Sequence, residues 1–370
     1  MDIRHADTIA PLRYQPSCEV AEEDEAATID TILHSLHHIY TTTYADGGHA
    51  IRSVHAKSHG ILRGALTVAD ALPPAYAQGL FARPGSYPVV ARLSSSPGDI
   101  LDDKVSTPRG MAIKIVGVDG ARVDGSESDR TQDFVLVDSP VFTASSAKRF
   151  AASLKLLAPT TDRAPRLKVA LSAVLRGAEQ LVEAVGGESA TLIALGGHPA
   201  THPLGATYFS QAPILYGPYM AKVALAPVSA ALTALTGAAV ELHGTHDGLR
   251  DAVRAHFARA GGEWELRVQL CTSLSSMPIE DSTVAWPQEQ SPYVAVARLT
   301  VAPQAGWSEA LSKAVDDGMR FSPWHALAAH RPLGSIMRAR KAAYAASSAF
   351  RFARCGVAQA EPVDLDGLPV

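Results

Sequence analysis

The strongest constraint on the fold is a change of hydrophobic periodicity along the chain. Residues 22–50 repeat apolar side chains at helical spacing, whereas residues 50–137 form short apolar runs, such as 61–68 and 89–93, separated by Gly and Pro. Helical spacing returns at 144–197, strand patterns at 208–225, 264–272 and 293–301, and helical spacing again at 307–354. This order predicts an α+β fold in which surrounding helices enclose an antiparallel β-barrel.

The domain organisation follows from the same pattern. The sequence has no internal repeat, no low-complexity tract and no linker that would mark a boundary, so one domain is expected over residues 1–370. Within it we expect an N-terminal helical segment at 1–47 and a barrel core at 48–340 with a helical insertion at about 144–200. A C-terminal helix and tail would occupy 341–370.

Composition excludes several classes of function. The formal charge of −4, from 33 basic and 37 acidic residues without a basic block, argues against a nucleic-acid partner. Cys18, Cys271 and Cys355 form no Cys-x-x-Cys pair, so neither a disulfide framework nor a Cys-rich zinc site is indicated. With no signal-peptide pattern and no uninterrupted apolar run of about 20 residues, a cytoplasmic protein without a transmembrane segment is expected.

Five short motifs carry residue types that are suited to chemistry with a bound cofactor. A His flanked by Arg and Lys precedes a Gly-containing strand, and a second Arg and a Ser follow on the next strand. The motifs are RSVHAK at 52–57, ARLS at 91–94, PRGMAIK at 108–114, DFVLVDSPVF at 133–142 and AWP at 285–287.

In this order and spacing, the motifs resemble those of the catalases. The resemblance is nearest to the short catalase-related haem proteins, a group that includes small peroxidases and allene oxide synthases. It implies a catalase-like barrel that binds haem b, with His55 and Ser94 on the distal, catalytic side and Arg52 and Arg92 at the propionates. Further cofactor contacts implied by the resemblance are Val54, Arg109, Val137, Phe142, Arg320, Trp324 and Arg331.

Elementary chemistry supports the distal assignments. A haem that activates a peroxide needs a base to take the proton from one oxygen and return it to the other. A neutral His55 imidazole, held by the Ser94 hydroxyl, fits that role. Two buried propionates call for Arg partners, which bind carboxylates through two parallel hydrogen bonds.

One departure from the catalase pattern lies on the distal side. Catalases pair the distal His with an Asn, and counting back from Pro140 places Val137 at that position, with Asp138 beside it. The amide that helps to orient peroxide is therefore missing, unless Asp138 takes over a catalytic role.

The second departure lies on the proximal side, where catalases ligate iron through the Tyr of an Arg-x-x-x-Tyr motif, with another Arg seven residues later. Aligning Arg320 and Arg331 with these arginines places Trp324 at the Tyr, whereas aligning 333–334 (LG) places His325 there. Because Trp does not ligate iron and His does, the predicted metal ligand is His325. Tyr344 or the absence of a protein ligand are the alternatives.

The resulting functional hypothesis is a haem-dependent enzyme that acts on a peroxide, by peroxidase-like or rearrangement chemistry and with little catalase activity. The substrate expected is a small-molecule peroxide, in particular an organic or lipid hydroperoxide. The alternative is a haem-binding or haem-free catalase-fold protein that binds a small molecule without turnover. The sequence is compatible with a homodimer but does not fix the oligomeric state.

Overall fold

The computed structural model describes residues 10–105, 107–158, 200–242, 244–356 and 361–369. The described residues form nine β-strands, six α-helices and several short 3-10 or π segments. The strands are β1 Ser58–Val68, β2 Ser86–Ser95, β3 Arg109–Val116, β4 Thr131–Val137, β5 Tyr208–Phe209, β6 Ile214–Tyr216, β7 Tyr219–Pro227, β8 Gly262–Leu270 and β9 Val294–Val301. The helices are α1 Glu25–Gly47, α2 Ala147–Leu157, α3 Ala230–Thr233, α4 Gly248–Phe257, α5 Glu309–Ser312 and α6 Ser335–Cys355.

The strands close into an antiparallel barrel of eight strands. The order β5-β4-β3-β2-β1-β9-β8-β7 is completed by pairing of β5 with β7, and β6 adds to β7 as a short hairpin. Closure leaves no long unpaired edge, which a sheet of this length would otherwise expose. The predicted α+β fold with an antiparallel barrel is confirmed.

Alternation along each strand separates the barrel interior from its outer face. On β2, Val89, Ala91 and Leu93 belong to the large apolar cluster inside the barrel, whereas Val90 and Arg92 lie on the opposite face. The outer face of β2, β3 and β4 is therefore free to contact the helices.

Three helices pack on one another on the side of the barrel where this outer face lies. Apolar side chains of α1, α2 and α6 share one cluster that includes Ile32, Leu36 and Phe350. The rings of Tyr40 and Phe350 lie 4.3 Å apart between α1 and α6. The packing fixes α6 beside the barrel, and α6 supplies one wall of the site described below.

Most element positions agree with the sequence-based expectations, with one difference. The helical pattern at 307–354 is interrupted, because α5 and a π-helical segment at Lys313–Asp317 are followed by a non-helical stretch before α6 begins at Ser335. Pro323 and Pro332 lie in that stretch and disfavour a continuous helix. Of the predicted helical insertion, α2 is observed, and residues 159–199 lie outside the described residues. No helix within the described ranges is long and apolar enough to span a membrane.

Candidate functional site

A cavity opens between the outer face of β2–β4 and helices α1 and α6. It encloses about 690 Å³, including the part that is open to solvent. Its apolar lining comes from Leu36, Val54, Met111, Ala112, Val135, Leu136, Phe321 and Ala343. Its polar lining comes from Arg52, Ser53, His55, Arg92, Ser94, Arg320, Tyr344, Ser347, Ser348 and Arg351. A concave, largely apolar site with a few convergent polar groups is typical of ligand and cofactor binding.

His55 reaches this cavity from the segment before β1. Its backbone is left-handed, with φ of +53°, and its amide donates to the Ser96 carbonyl at 2.9 Å. Such a conformation in a residue other than Gly costs on the order of 1–3 kcal/mol and persists where surrounding contacts impose it. The strand pairing therefore fixes the direction of this imidazole.

The His55 ring is held in one orientation and in its neutral form. Its Nδ1 lies 3.1 Å from the Ser94 hydroxyl, which leaves Nε2 to exchange a proton with a molecule in the cavity. Burial, followed by the Arg92 and Arg340 cations, lowers the pKa of His55 to about 3. At neutral pH the imidazole is a proton acceptor.

Gly110 on β3 makes room for this ring. A Cβ at this position would lie 2.7 Å from both Cε1 and Nδ1 of His55, well inside contact distance. Any larger residue would displace the imidazole, so Gly110 is part of the site even though it carries no functional group.

Three guanidinium groups give one end of the cavity an excess of positive charge. Arg52 and Arg92 share the Asp316 carboxylate, whose Oδ1 lies 2.6 Å from Arg92 Nε and 3.2 Å from Arg52 Nη1. Arg351 donates to the Met319 carbonyl at 2.7 Å, and Arg52 donates to the same oxygen at 2.9 Å. The neighbouring Asp317 carboxylate is turned to His49. With Asp316 and Asp317 counted against the three cations, one positive charge remains at this end of the cavity.

The pKa shifts of Arg52 and Asp316 are consistent with this excess of positive charge. Burial, and then the Arg92 and Arg351 cations, lowers the pKa of Arg52 well below its ordinary value. Burial alone would raise the pKa of Asp316, but the Arg92 and Arg52 guanidinium groups lower it to about 2. The mutual repulsion of the arginines would be relieved by an anionic ligand.

The opposite wall presents a phenol on α6. Tyr344 lines the cavity, and its oxygen accepts a hydrogen bond of 2.8 Å from Arg340 Nη2. The two residues are four positions apart on a helix, so they share one face. The guanidinium donor fixes the position of this phenol oxygen, and a Tyr oxygen is one of the side-chain groups that ligate haem iron.

The structure brings six of the sequence-predicted residues to this one cavity. They are Arg52, Val54, His55, Arg92, Ser94 and Arg320. The other predicted residues lie away from its lining. Arg109 donates to the Thr201 carbonyl, and Phe142 packs on Phe150 with ring centres 5.2 Å apart.

On the proximal side, the predicted residues serve other contacts. The Trp324 indole donates to the Met337 carbonyl at 2.7 Å, and Arg331 binds Glu19 at 2.9 Å. The assignment of these two residues to the cofactor therefore has no support from their position.

The assignment of His325 as metal ligand needs correction, because its ring belongs to a buried ionic cluster. Nδ1 lies 3.1 Å from Asp133 Oδ2, 3.2 Å from Lys114 Nζ and 3.3 Å from Glu361 Oε2. Nε2 faces Asp129 at 4.0 Å. With both nitrogens turned to this cluster and the residue absent from the cavity lining, His325 is not placed to bind a metal there.

Val137 and Asp138 lie at the end of β4 and just beyond it. Val137 pairs with Gly110 across β3 and β4 and offers no donor. Asp138 caps the neighbouring strand, because its Oδ1 accepts from the Arg109 amide at 2.8 Å. Its charge acts on His55 by raising the pKa of the imidazole against the larger opposing effects.

Sequence reasoning named Tyr344 of the α6 wall only as an alternative ligand and missed Arg340 and Arg351, although the signal was present. Arg340-x-x-x-Tyr344 is itself an Arg-x-x-x-Tyr motif, and Arg351 follows Tyr344 by seven positions. Arg320 and Arg331 have the same separation along the chain, but no Tyr lies between them. Asp316 carried no such signal, since only the fold brings it to Arg52 and Arg92.

Comparison with known proteins agrees with this architecture. No protein-family model and no curated protein matches the chain. Among solved structures, a fungal catalase has a TM-score of 0.59 at 18% identity, over 92% of this chain and 65% of its own. Catalase A from Saccharomyces cerevisiae gives 0.59 at 18% over 92% and 67%, and a bacterial catalase gives 0.56 at 16% over 92% and 63%. The fold is therefore that of the catalases, and the chain spans about two thirds of their length.

Proposed function

We propose that this protein binds haem b in the cavity, where Tyr344 would hold the iron, and that it acts on a peroxide. The observation that carries the proposal is the placement of an Arg-paired phenol and a neutral, Ser-oriented His55 in the same cavity. Tyr is the axial ligand of haem in catalases. The catalase fold of the chain is consistent with the same role for Tyr344.

The charges of the cavity fit the same cofactor. The positive charge that Arg52, Arg92 and Arg351 have in excess of Asp316 and Asp317 would attract the carboxylates of haem b. The apolar lining suits the porphyrin faces. Arg52 and Arg92 would hold propionates, with Arg351 beside them.

Bound haem would supply the redox chemistry of peroxide cleavage. The chain's own contribution is to move and hold protons. His55 Nε2 accepts the proton of a hydroperoxide and returns it to the leaving oxygen, while Ser94 keeps Nδ1 in place. Arg340 would hold the Tyr344 oxygen in position to bind iron.

An organic or lipid hydroperoxide is the proposed substrate. Val137 gives no amide donor to orient the small hydrogen peroxide molecule, whereas Leu36, Val54 and Val135 offer apolar contacts to a carbon-bearing one. Dismutation of hydrogen peroxide is expected to be slow for the same reason. The chemistry would resemble that of the small catalase-related peroxidases or allene oxide synthases.

The test is reconstitution of the full chain with ferric haem, followed by assays with two peroxides. We expect one haem per chain, and consumption of cumene hydroperoxide that exceeds oxygen release from hydrogen peroxide. Failure to bind haem at micromolar concentration would overturn the proposal in favour of a haem-free binding protein. Haem binding without peroxide turnover would leave a haem-binding protein instead.

A further inference from the structure

A second cluster of ligand-type side chains lies behind the arginine end of the cavity. His49, Asp317 and Cys355 each direct one ligand atom into a common space, and the three atoms lie within 4.8 Å of one another. His49 Nε2 is 2.9 Å from Asp317 Oδ1. The Cys355 thiol contacts the Ala50 carbonyl at 3.5 Å, next to His49 in the chain.

The three residues come from separate segments that the fold brings together. His49 follows the left-handed Gly48 that ends α1, Asp317 is the last residue of the π-helical segment, and Cys355 is the last residue of α6. Convergence of imidazole, carboxylate and thiol from three segments is unlike a local turn or helix cap, which would draw its groups from neighbouring positions.

We propose that His49, Asp317 and Cys355 form a binding site for a divalent transition metal ion, with zinc as the best match. Thiolate, imidazole and carboxylate are the three ligand types that zinc prefers, and borderline-soft ions select such mixed sets over the all-oxygen sites of Mg²⁺ or Ca²⁺. Ligand distances of about 2.0–2.3 Å place the ligand atoms of a tetrahedral site about 3.3–3.7 Å apart. Small side-chain rotations bring the observed separations into that range.

Access and charge are compatible with such an ion. The His49 side chain is 55% exposed, so an ion can enter and keep water in the fourth position. Arg351 lies nearby, with its Nε 3.4 Å from the Asp317 carbonyl. Binding of a divalent cation with loss of the thiol proton adds only one positive charge, so the guanidinium does not prevent it.

The site would tie together the segments that support the cavity. Asp317 is adjacent to Asp316, which holds Arg52 and Arg92, and Cys355 lies one helical turn after Arg351. A metal ion that binds only the folded chain raises its thermal midpoint by mass action. The role is therefore structural, and it stands independently of the proposed haem chemistry.

The experiment uses the untagged full chain after removal of metal with a chelator. Zinc in a chromophoric competition assay should bind at one equivalent, and Co²⁺ in haem-free protein should give a thiolate-to-cobalt absorption band. Cys355→Ser should abolish that band, and His49→Gln should weaken binding by at least about tenfold, the range seen when a zinc environment is disturbed. Cys18→Ser and His38→Gln, which lie outside the cluster, should leave the cobalt band and the zinc affinity unchanged.

A second readout does not depend on the variants folding. In the wild-type chain, with or without haem, zinc should slow alkylation of Cys355 at least tenfold and leave Cys18 unaffected. Absence of one-equivalent binding, or a cobalt–thiolate band that survives in folded Cys355→Ser, would overturn the proposal. Alkylation of Cys355 that zinc does not slow would do the same.

Discussion

The two walls of the cavity position their functional groups by different means. On the strand wall, Arg92 and Ser94 share a face through the alternation of β2, and Gly110 on β3 pairs opposite Ser94. On the helix wall, Tyr344 and Arg351 lie two turns apart on α6. The strand wall depends on register across the barrel, where a slip of one residue would turn every side chain to the other face. On the helix wall, local spacing places Tyr344 and Arg351 on one face, and packing of α6 with α1 and α2 positions that face.

The strand wall should determine turnover. His55→Ala removes the proton acceptor, and such groups contribute about 10²–10⁴-fold to rate. We expect hydroperoxide turnover of the haem-loaded variant to fall by that factor while haem binding is kept. The exposed His38→Ala is the matched control and should retain full activity. Unchanged turnover in His55→Ala would remove this residue from the mechanism.

The cluster around His325 should determine stability and not cofactor chemistry. Lys114 Nζ lies 2.8 Å from Asp133 and 2.6 Å from Glu361, and both Lys114 and Asp133 are fully buried. Lys114→Met removes the cation that pairs with buried Asp133, while Glu361 keeps its contact with Arg320 at 3.2 Å, and breaking a buried pair costs about 3–5 kcal/mol. Urea unfolding should show this loss.

The matched control for that change is Lys148→Met. Lys148 binds Asp24 at 2.7 Å on the surface, with 59% of its side chain exposed, and exposed pairs contribute about 0–1 kcal/mol. A loss of equal size in both variants would contradict the structural role assigned to the buried cluster. A changed haem spectrum in folded Lys114→Met would indicate that this cluster does affect the haem site.

The arginine end should set haem affinity. Hydrogen bonds to charged groups contribute about 1.5–3 kcal/mol, so Arg52→Ala should weaken haem binding by about tenfold to a hundredfold. Arg298→Ala, at a side chain that is 53% exposed on β9, should have no effect. Haem titration measures the affinity of both variants for haem. Equal affinity in Arg52→Ala and wild type would exclude the propionate role.

The smallest effect concerns the pH dependence of stability. Burial and the Lys114 cation oppose protonation of His325, but hydrogen bonding to Asp133 and Glu361 outweighs them, and the net effect raises its pKa above the ordinary value of 6.5. A raised folded-state pKa stabilises the fold below about pH 6.5, and this stabilisation is lost as pH rises through the folded-state pKa. The difference in unfolding free energy between wild type and His325→Gln should therefore shrink from pH 6 towards pH 9. A difference that grows from pH 6 towards pH 9 would contradict a raised pKa of His325.

Sequence patterns were sufficient for the barrel and for the strand wall, for physical reasons. Alternation and Gly/Pro breaks determine strands locally, and the segments around His55 and Arg92 keep the catalase order. The helix wall was misplaced because Arg320 and Arg331 offered a plausible spacing in a non-helical stretch. Partners such as Asp316 and Gly110 could not be found at all, since their roles depend on contacts between distant segments.

The central claim is that Tyr344, and not His325, is the axial ligand of a bound haem. Resonance Raman spectroscopy of the haem-loaded ferric protein tests it most directly. The account predicts tyrosinate vibrations that disappear in Tyr344→Phe and persist in His325→Gln. Lack of these vibrations in wild type, together with an iron–histidine stretch in the ferrous form that is lost in His325→Gln, would contradict it.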